Sequence, residues 1–326
     1  MKAVLLKEYG DVSQLYIGEM PTPSLLQNEV LVKVEVAALN RADILQRNGH
    51  YPPPKGESEI LGLEVAGTIV EVGPEVNRWK IGDRVCGIIA GGGYAEYAKI
   101  HENMALPIPE QMQSHQAAAI PEVFLTAFQA LHWITELKKG ENVLIHAGAS
   151  GVGTAAIQLA KKIGATIFVT ASASKHDACK QLGAHYAIDY KSEDFETVVL
   201  ELTENIGVNV IVDFIGAAYW HKNIKSLAMD GRMVNLGLLG GGKVDNINLG
   251  HLLSKRLNIT ASTLRNRSLD YKIALTQTFY QYAWTSFMDG RLMPVVDRVF
   301  PWEEVAAAHA YMEENKNVGK IVLRIL

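Results

Sequence analysis

The sequence predicts an α/β chain in two parts. A barrel-like β domain occupies residues 1–121 and is completed by about 265–326; a doubly wound parallel-sheet domain occupies 122–264. Three observations carry this. The first 121 residues read as short strands broken by turn residues. From Val143 to Ser262, strands and helical patterns then alternate, as in a sheet with helices on both faces. Finally, Val143–Ile145 runs into a turn of small residues and a helix, the opening unit of a dinucleotide-binding sheet.

In the first part, Lys2–Leu6, Glu29–Ala37, Glu64–Gly73 and Arg84–Ile89 suit strands. Prolines at 21, 23, 52, 53, 54 and 74 punctuate them. From Pro121 the pattern turns helical, with proline in the first turn and Phe124, Phe128 and Leu131 on one face. In the second part the strands are Val143–Ile145, Ile167–Thr170, Tyr186–Asp189, Val208–Ile215, Arg232–Gly237 and Leu257–Ser262. A long helix over Tyr271–Met288, a strand over Pro294–Phe300, a helix over Trp302–Glu314 and a strand from Gly319 follow. That last strand has no unit of its own and is expected to return to the first domain.

The turn is Ala147-Gly-Ala-Ser-Gly-Val-Gly153. Small residues let backbone N–H groups approach a pyrophosphate, and the helix after Ser150 presents free N–H groups and a positive dipole end to it. The spacing is G-x-x-G-x-G, so the motif weighs less than the alternation around it. An NAD site places an acid at the end of the second strand to hold the ribose 2′-hydroxyl. Here that place reads Thr170-Ala-Ser-Ala-Ser-Lys175. Hydroxyls and an ammonium suit a 2′-phosphate, which points to NADP(H). Ser174 can also cap the next helix, with Asp177 at its third position.

Hydrophobic residues make up 48% and charged residues 20%, a globular composition, and the net charge of −4 offers no basic field for nucleic acid or anionic membrane. No apolar run is read as long enough to span a bilayer, no signal peptide is read at the amino terminus, and the cytosol is the expected compartment. The two cysteines, Cys86 and Cys179, fall in different domains, so a disulfide framework is not expected. His132 and His146 lie in apolar contexts and read as core or edge histidines.

Several segments carry a resemblance: Ala38-Leu-Asn-Arg-Ala-Asp43, Leu61-Gly-Leu-Glu-Val-Ala-Gly67, Trp79-Lys-Ile-Gly-Asp-Arg84, Gly92-Gly-Tyr-Ala-Glu-Tyr97, Ala117-Ala-Ala-Ile-Pro121, Leu125-Thr-Ala-Phe128 and Asn317-Val-Gly-Lys320. From end to end the chain resembles the medium-chain dehydrogenase/reductases, and within them the zinc-free, zeta-crystallin-like quinone oxidoreductases. His146–Leu159 and Tyr311–Leu323 look most like the tumour-suppressor-inducible quinone oxidoreductase-like branch. The resemblance implies a GroES-like catalytic domain, a Rossmann domain, and a homodimer or homotetramer joined through the outer strand, here Asn258–Ser262. It also implies no metal: Leu63 takes the histidine place of the family's Gly-His-Glu zinc motif, and Asn40 the place of a cysteine ligand.

By the same resemblance, Asn40, Tyr51 and Thr126 are the catalytic-site residues, the first two offering N–H and O–H donors to an acceptor oxygen. Asn40 can equally cap a helix at 41–47, and Tyr51 can simply pack beside Pro52–Pro54. Ser150, Gly151 and Val152 would hold the pyrophosphate. Ser172, Lys175 and Tyr190 would surround the 2′-phosphate of NADPH, and Gly237, Leu238, Leu264 and Asn317 would line the nicotinamide end. Relatives often carry glycine where Ser150 stands; serine suits the turn if its φ stays negative. The expected activity is NADPH-dependent reduction of a quinone. The alternatives are reduction of an enone or alkenal double bond, and a non-enzymatic NADPH-binding protein.

Overall fold

The computed structural model describes all 326 residues. They form two compact units: Met1–Leu125 with Leu264–Leu326, and Thr126–Thr263.

The first unit begins with β1 (Lys2–Leu6), β2 (Leu15–Glu19), β3 (Glu29–Ala38), α1 (Arg41–Arg47), β4 (Glu64–Val72), β5 (Arg84–Ile88), β6 (Tyr97–His101), β7 (Ala105–Pro107), α2 (Ser114–Ala117) and the first part of α3 (Pro121–Phe128), whose residues from Thr126 on belong to the second unit. The second unit contains β8 (Asn142–Ile145), α4 (Gly151–Ile163), β9 (Thr166–Ala171), α5 (His176–Leu182), β10 (Tyr186–Asp189), α6 (Phe195–Leu202), β11 (Val208–Asp213), α7 (Trp220–Ser226), β12 (Leu227–Asn235), α8 (Leu249–Ser254) and β13 (Asn258–Ala261). The chain then adds α9 (Leu269–Met288), β14 (Val296–Pro301), α10 (Val305–Glu313) and β15 (Lys320–Arg324) to the first unit.

In the first unit a seven-stranded sheet runs β14-β15-β3-β4-β5-β7, with β6 also paired to β3. The closing strand β15 lies antiparallel to β3, Val322 opposite Ala38, so the carboxy-terminal segment does complete the first unit. A long helix with a buried aromatic face drives the same return. Phe279, Trp284 and Phe287 of α9 are buried, and Phe287 meets Phe124 of α3 edge-on with ring centroids 4.9 Å apart. Such aromatic pairs stabilise by about 0.5–1.5 kcal/mol beyond their buried area. Arg47 at the end of α1 is 1% exposed and ion-pairs with Glu313 of α10 at 2.6 Å, fixing that helix as well.

The second unit is a six-stranded parallel sheet in the order β10-β9-β8-β11-β12-β13. Renumbered within the unit this is 3-2-1-4-5-6, the order of a dinucleotide-binding sheet. Its central strands are buried on both faces, as parallel strands must be when helices cover both sides. Leu144, Phe168, Ile188, Ile211 and Met233 of the sheet pack with Phe195, Val199 and Ile224 of the helices. β13 forms one open edge of the sheet.

One sequence expectation is corrected. Ser114–Ile134 is a helical stretch of 21 residues with mean hydropathy 1.2, long and apolar enough to cross a bilayer. It is 72% buried within the protein, which accounts for its apolar character as core packing.

Candidate functional site

In the second unit the chain leaves β8 at Ile145 and turns through Ala147, whose φ is +49°, a left-handed conformation uncommon for a residue with a Cβ. Ser150 caps α4: its φ is −71°, and its Oγ accepts the Gly153 N–H at 3.1 Å. The N–H groups of Gly151 and Val152 lie in the first helical turn, ahead of any intrahelical acceptor. Two glycines make the cradle. A Cβ on Gly148 would lie 2.7 Å from Cβ of Val169 on β9, and one on Gly153 would lie 2.3 Å from the Ala147 carbonyl oxygen. Added atoms would therefore push the turn away from the helix. Such a helix start could hold a pyrophosphate through its free backbone N–H groups and the Ser150 hydroxyl hydrogen.

Beneath the turn, His146 is fully buried. Its ring is hydrogen-bonded to Thr170 Oγ1 at 3.0 Å and Asn223 Oδ1 at 2.7 Å. Burial pushes its pKa down. It is a core histidine that ties β8 to β9 and α7.

At the carboxyl ends of the neighbouring strands, β9 and β10 run in register with Ala171 opposite Asp189. Ser172 and Tyr190 are thus the next residues out on neighbouring strands. Ser172 begins a short 3₁₀ turn, Ala173–Lys175, which the Lys175 N–H closes on the Ser172 carbonyl at 2.9 Å. α5 starts only at His176, so Ser174 lies inside that turn rather than at a helix cap. Sequence reasoning gave no role to the acid here, Asp189. It accepts Ser192 Oγ at 2.8 Å and the Lys191 N–H at 3.2 Å, and the Ser192 bond leads the causes that hold its pKa below the usual value.

Asp213 at the end of β11 is buried and organises the neighbouring strand ends. It accepts the N–H groups of Ile215 and Gly216 at 2.9 and 3.0 Å and Asn235 Nδ2 at 2.9 Å. Asn235 also donates to the Gly237 carbonyl at 3.1 Å. Leu238 beyond it is 61% exposed, an apolar side chain held out at the carboxyl end of the sheet.

In the first unit Asn40 caps α1 in an unexpected way. Asp43 accepts the Asn40 N–H at 2.7 Å, while the Asn40 side chain turns inward. Its Nδ2 donates to Glu64 Oε1 at 2.9 Å, its Oδ1 accepts from Lys320 Nζ at 2.7 Å, and it is 8% exposed. Lys320 also pairs with Glu64 at 2.7 Å and donates to the Leu39 carbonyl. The other Glu64 oxygen accepts the Glu122 N–H at the start of α3 at 2.7 Å. Both charges are buried, Glu64 fully and Lys320 to within 3%. An ammonium is thus the cation of this corner, and Leu63 is a buried apolar neighbour in sequence. Nor do any three of the chain's His, Cys, Asp and Glu side chains converge on a metal set. The residues do not fit a catalytic zinc. Asp43 also accepts Tyr94 OH at 3.0 Å and the Gly62 N–H at 3.1 Å; burial pushes its pKa up to about 6 against these bonds.

Tyr51 is half-buried in the loop after α1, and its hydroxyl makes no hydrogen bond within the protein. Burial pushes its phenol up, the Glu122 carboxylate pushes the same way, and Arg265 pulls back. Thr126 is a buried residue of α3 and opens the second unit, whereas Leu264 is buried where the chain re-enters the first. Asn317 donates to the Gly319 carbonyl at 2.7 Å. Sequence reasoning gave no role to Lys320 or Arg265; Asn317-Val-Gly-Lys320 was legible only as a family segment.

Comparisons with known proteins agree with this architecture. Residues 26–110 match the alcohol dehydrogenase GroES-like domain, and residues 151–279 match the zinc-binding dehydrogenase domain. The synaptic vesicle membrane protein VAT-1 homolog of Danio rerio is 32% identical over 338 residues, covering 99% of this chain and 69% of the relative. The quinone oxidoreductase from Coxiella burnetii superposes with TM-score 0.84 at 31% identity, over 100% of this chain and 99% of that one. The CurK enoyl reductase superposes with TM-score 0.88 at 30% identity, also over 100% and 99%. A mycobacterial protein complexed with NADPH gives 0.89 at 28% identity, over the whole of both chains. Glycine turn, sheet order and end-to-end similarity together place this chain in the medium-chain dehydrogenase/reductase family, as a pyridine-nucleotide-binding oxidoreductase with a GroES-like and a Rossmann domain.

Proposed function

We propose that the chain reduces quinones with NADPH, without a metal ion, as a cytosolic homodimer or homotetramer. The observation that carries the choice of acceptor is the state of Tyr51. Its hydroxyl is unengaged, and burial and Glu122 raise its pKa above the ordinary value of 10. Such a phenol stays protonated and is free to donate a hydrogen bond to an acceptor oxygen. A quinone suits it, because the reduced oxygens can take protons from water. An enone needs a proton delivered at carbon, for which no better-matched acid stands beside Tyr51.

Ser150, Gly151 and Val152 would hold the pyrophosphate. Ser172, Lys175 and Tyr190 would hold the 2′-phosphate, and Gly237, Leu238, Leu264 and Asn317 would line the nicotinamide end. When bound, the reduced nicotinamide supplies the hydride. Tyr51 donates to the acceptor oxygen. Asn40, whose amide is engaged by Glu64 and Lys320, fixes the start of α1 and the electrostatics of that corner. The open strand Asn258–Ala261, uncharged and at a sheet edge, supports pairing with a second copy, since such edges are normally covered.

The similarity to CurK enoyl reductase supports a second reading, reduction of an activated carbon–carbon double bond. One experiment separates the two: following the oxidation of NADPH and of NADH with panels of quinones and enones, for the wild type and Tyr51→Phe. The expected result is quinone turnover with NADPH preferred. Loss of one neutral hydrogen bond, about 0.5–1.5 kcal/mol, should slow Tyr51→Phe by roughly tenfold or less. Faster turnover of enones, with Tyr51→Phe losing several orders of magnitude, would replace this reading with the second. A protein that binds NADPH but oxidises it with neither class of acceptor would refute both.

A further inference from the structure

Arg265 is an unusual cation. It is 5% exposed and makes no ion pair, although Arg47 in the same unit shows the ordinary solution of a carboxylate at 2.6 Å. Its guanidinium donates instead to three neutral oxygens: Nε to the Ala90 carbonyl at 2.7 Å, Nη2 to Gln46 Oε1 at 2.8 Å and Nη1 to the Tyr51 carbonyl at 3.3 Å. Burying a cation without a direct counter-charge is unfavourable, so the arrangement calls for a use. Its position suggests one. The guanidinium carbon lies 5.4 Å from the centroid of the Tyr51 ring. The bond to the Tyr51 carbonyl is also the one hydrogen bond that Tyr51 makes within the protein, in a loop with no regular secondary structure.

We propose that Arg265 is the positioning residue of the acceptor site. It holds the Tyr51 loop against α1 and the loop after β5, and sets a fixed positive charge beside the phenol. The phenol then donates to an acceptor oxygen that gains negative charge. The fork geometry matters, because the three acceptors are met by three separate nitrogens, Nε, Nη1 and Nη2, spread over a rigid plane, whereas a lysine carries all its donors on one atom. This inference rests on the reading that Tyr51 contacts the acceptor. It identifies the preferred substrates as those whose reduction places charge on oxygen.

The test is a double-mutant cycle over wild type, Tyr51→Phe, Arg265→Lys and the double variant. For each, kcat and KM are measured with a benzoquinone, NADPH affinity by fluorescence titration, and stability by thermal unfolding. Arg265→Lys should lower kcat/KM by about tenfold while NADPH affinity stays within about twofold, and in the Tyr51→Phe background the same change should lower it by less than about twofold. Equal losses in both backgrounds, no loss at all, or a parallel loss of NADPH affinity would overturn the inference alone. Unchanged kinetics in Tyr51→Phe would overturn the acceptor reading and the inference with it. Should Arg265→Lys fail to fold, Arg265→Gln, which keeps a donor without the charge, carries the same cycle and the same outcomes.

Discussion

The glycine turn of the second unit and the Asn40 corner of the first are built on opposite principles. The turn is made of backbone: residues 146–154 are contiguous, and the decisive features are atoms that are missing at Gly148 and Gly153. The corner is made of the side chains of Asn40, Glu64 and Lys320, brought together with the backbone N–H of Glu122. A backbone site should be intolerant of anything added. A side-chain network should be intolerant of anything removed, since each loss strands a buried partner.

The largest effect should come from breaking the network. Lys320→Met leaves Glu64 as a fully buried carboxylate without its cation. Removing one partner of such a pair costs about 3–5 kcal/mol, a large part of the stability of an ordinary domain. The double variant Glu64→Gln/Lys320→Met removes both charges and should recover most of that loss. Chemical denaturation of the three proteins measures it. A single variant costing under about 1 kcal/mol would mean that the corner is wetter or looser than its geometry, and the contrast with the turn would fail.

Adding an atom to the turn comes next. The methyl group of Gly153→Ala would lie 2.3 Å from the Ala147 carbonyl oxygen and 2.6 Å from that of Gly148. Both are backbone atoms that cannot swing aside, so the helix start must move. Overpacking of this kind costs about 1–3 kcal/mol, and the displaced N–H groups should bind a dinucleotide more weakly. Thermal unfolding and an NADPH titration of the variant would show both effects. A variant that unfolds normally and binds NADPH normally would show that the turn does not need its close approach.

The same contrast explains what was legible in the sequence. The turn and its sheet were readable because their causes are local: β10 falls on Tyr186–Asp189 as expected, and α4 starts after Ser150. Where a local signal misled, a tertiary one had intervened. β12 begins at Leu227, five residues before the expected Arg232, and Asp230 within it adopts a φ of +58°, which interrupts the regular strand pattern there. The strand carries this as an irregularity, its register against β11 shifting between Leu227 and Arg232. β2, β6 and β7 are three to five residues long and were missed. The corner was barely legible. Asn40 and Glu64 stood out only through a family resemblance, and nothing local in Lys320 announces that its ammonium meets an asparagine 280 positions away. Arg265 is the same case, its acceptors lying at Gln46, Tyr51 and Ala90.

The smallest effect sharpens the comparison from inside the turn. Ala147 holds φ +49°, a conformation that costs an L-residue roughly 1–2 kcal/mol. Ala147→Gly relieves that strain but frees the unfolded chain, which costs about 0.4–1 kcal/mol in the other direction. The two partly cancel, so thermal unfolding should show a gain between zero and about 1.6 kcal/mol. The interest lies in the cofactor. If alanine is present only because the position tolerates it, NADPH affinity should stay within about twofold. Should the glycine variant instead be clearly more stable while NADPH binding falls, the strain at Ala147 is kept for function, stiffening the turn before the cofactor arrives. The backbone site would then depend on a side chain after all, and the division between the two regions would be one of degree.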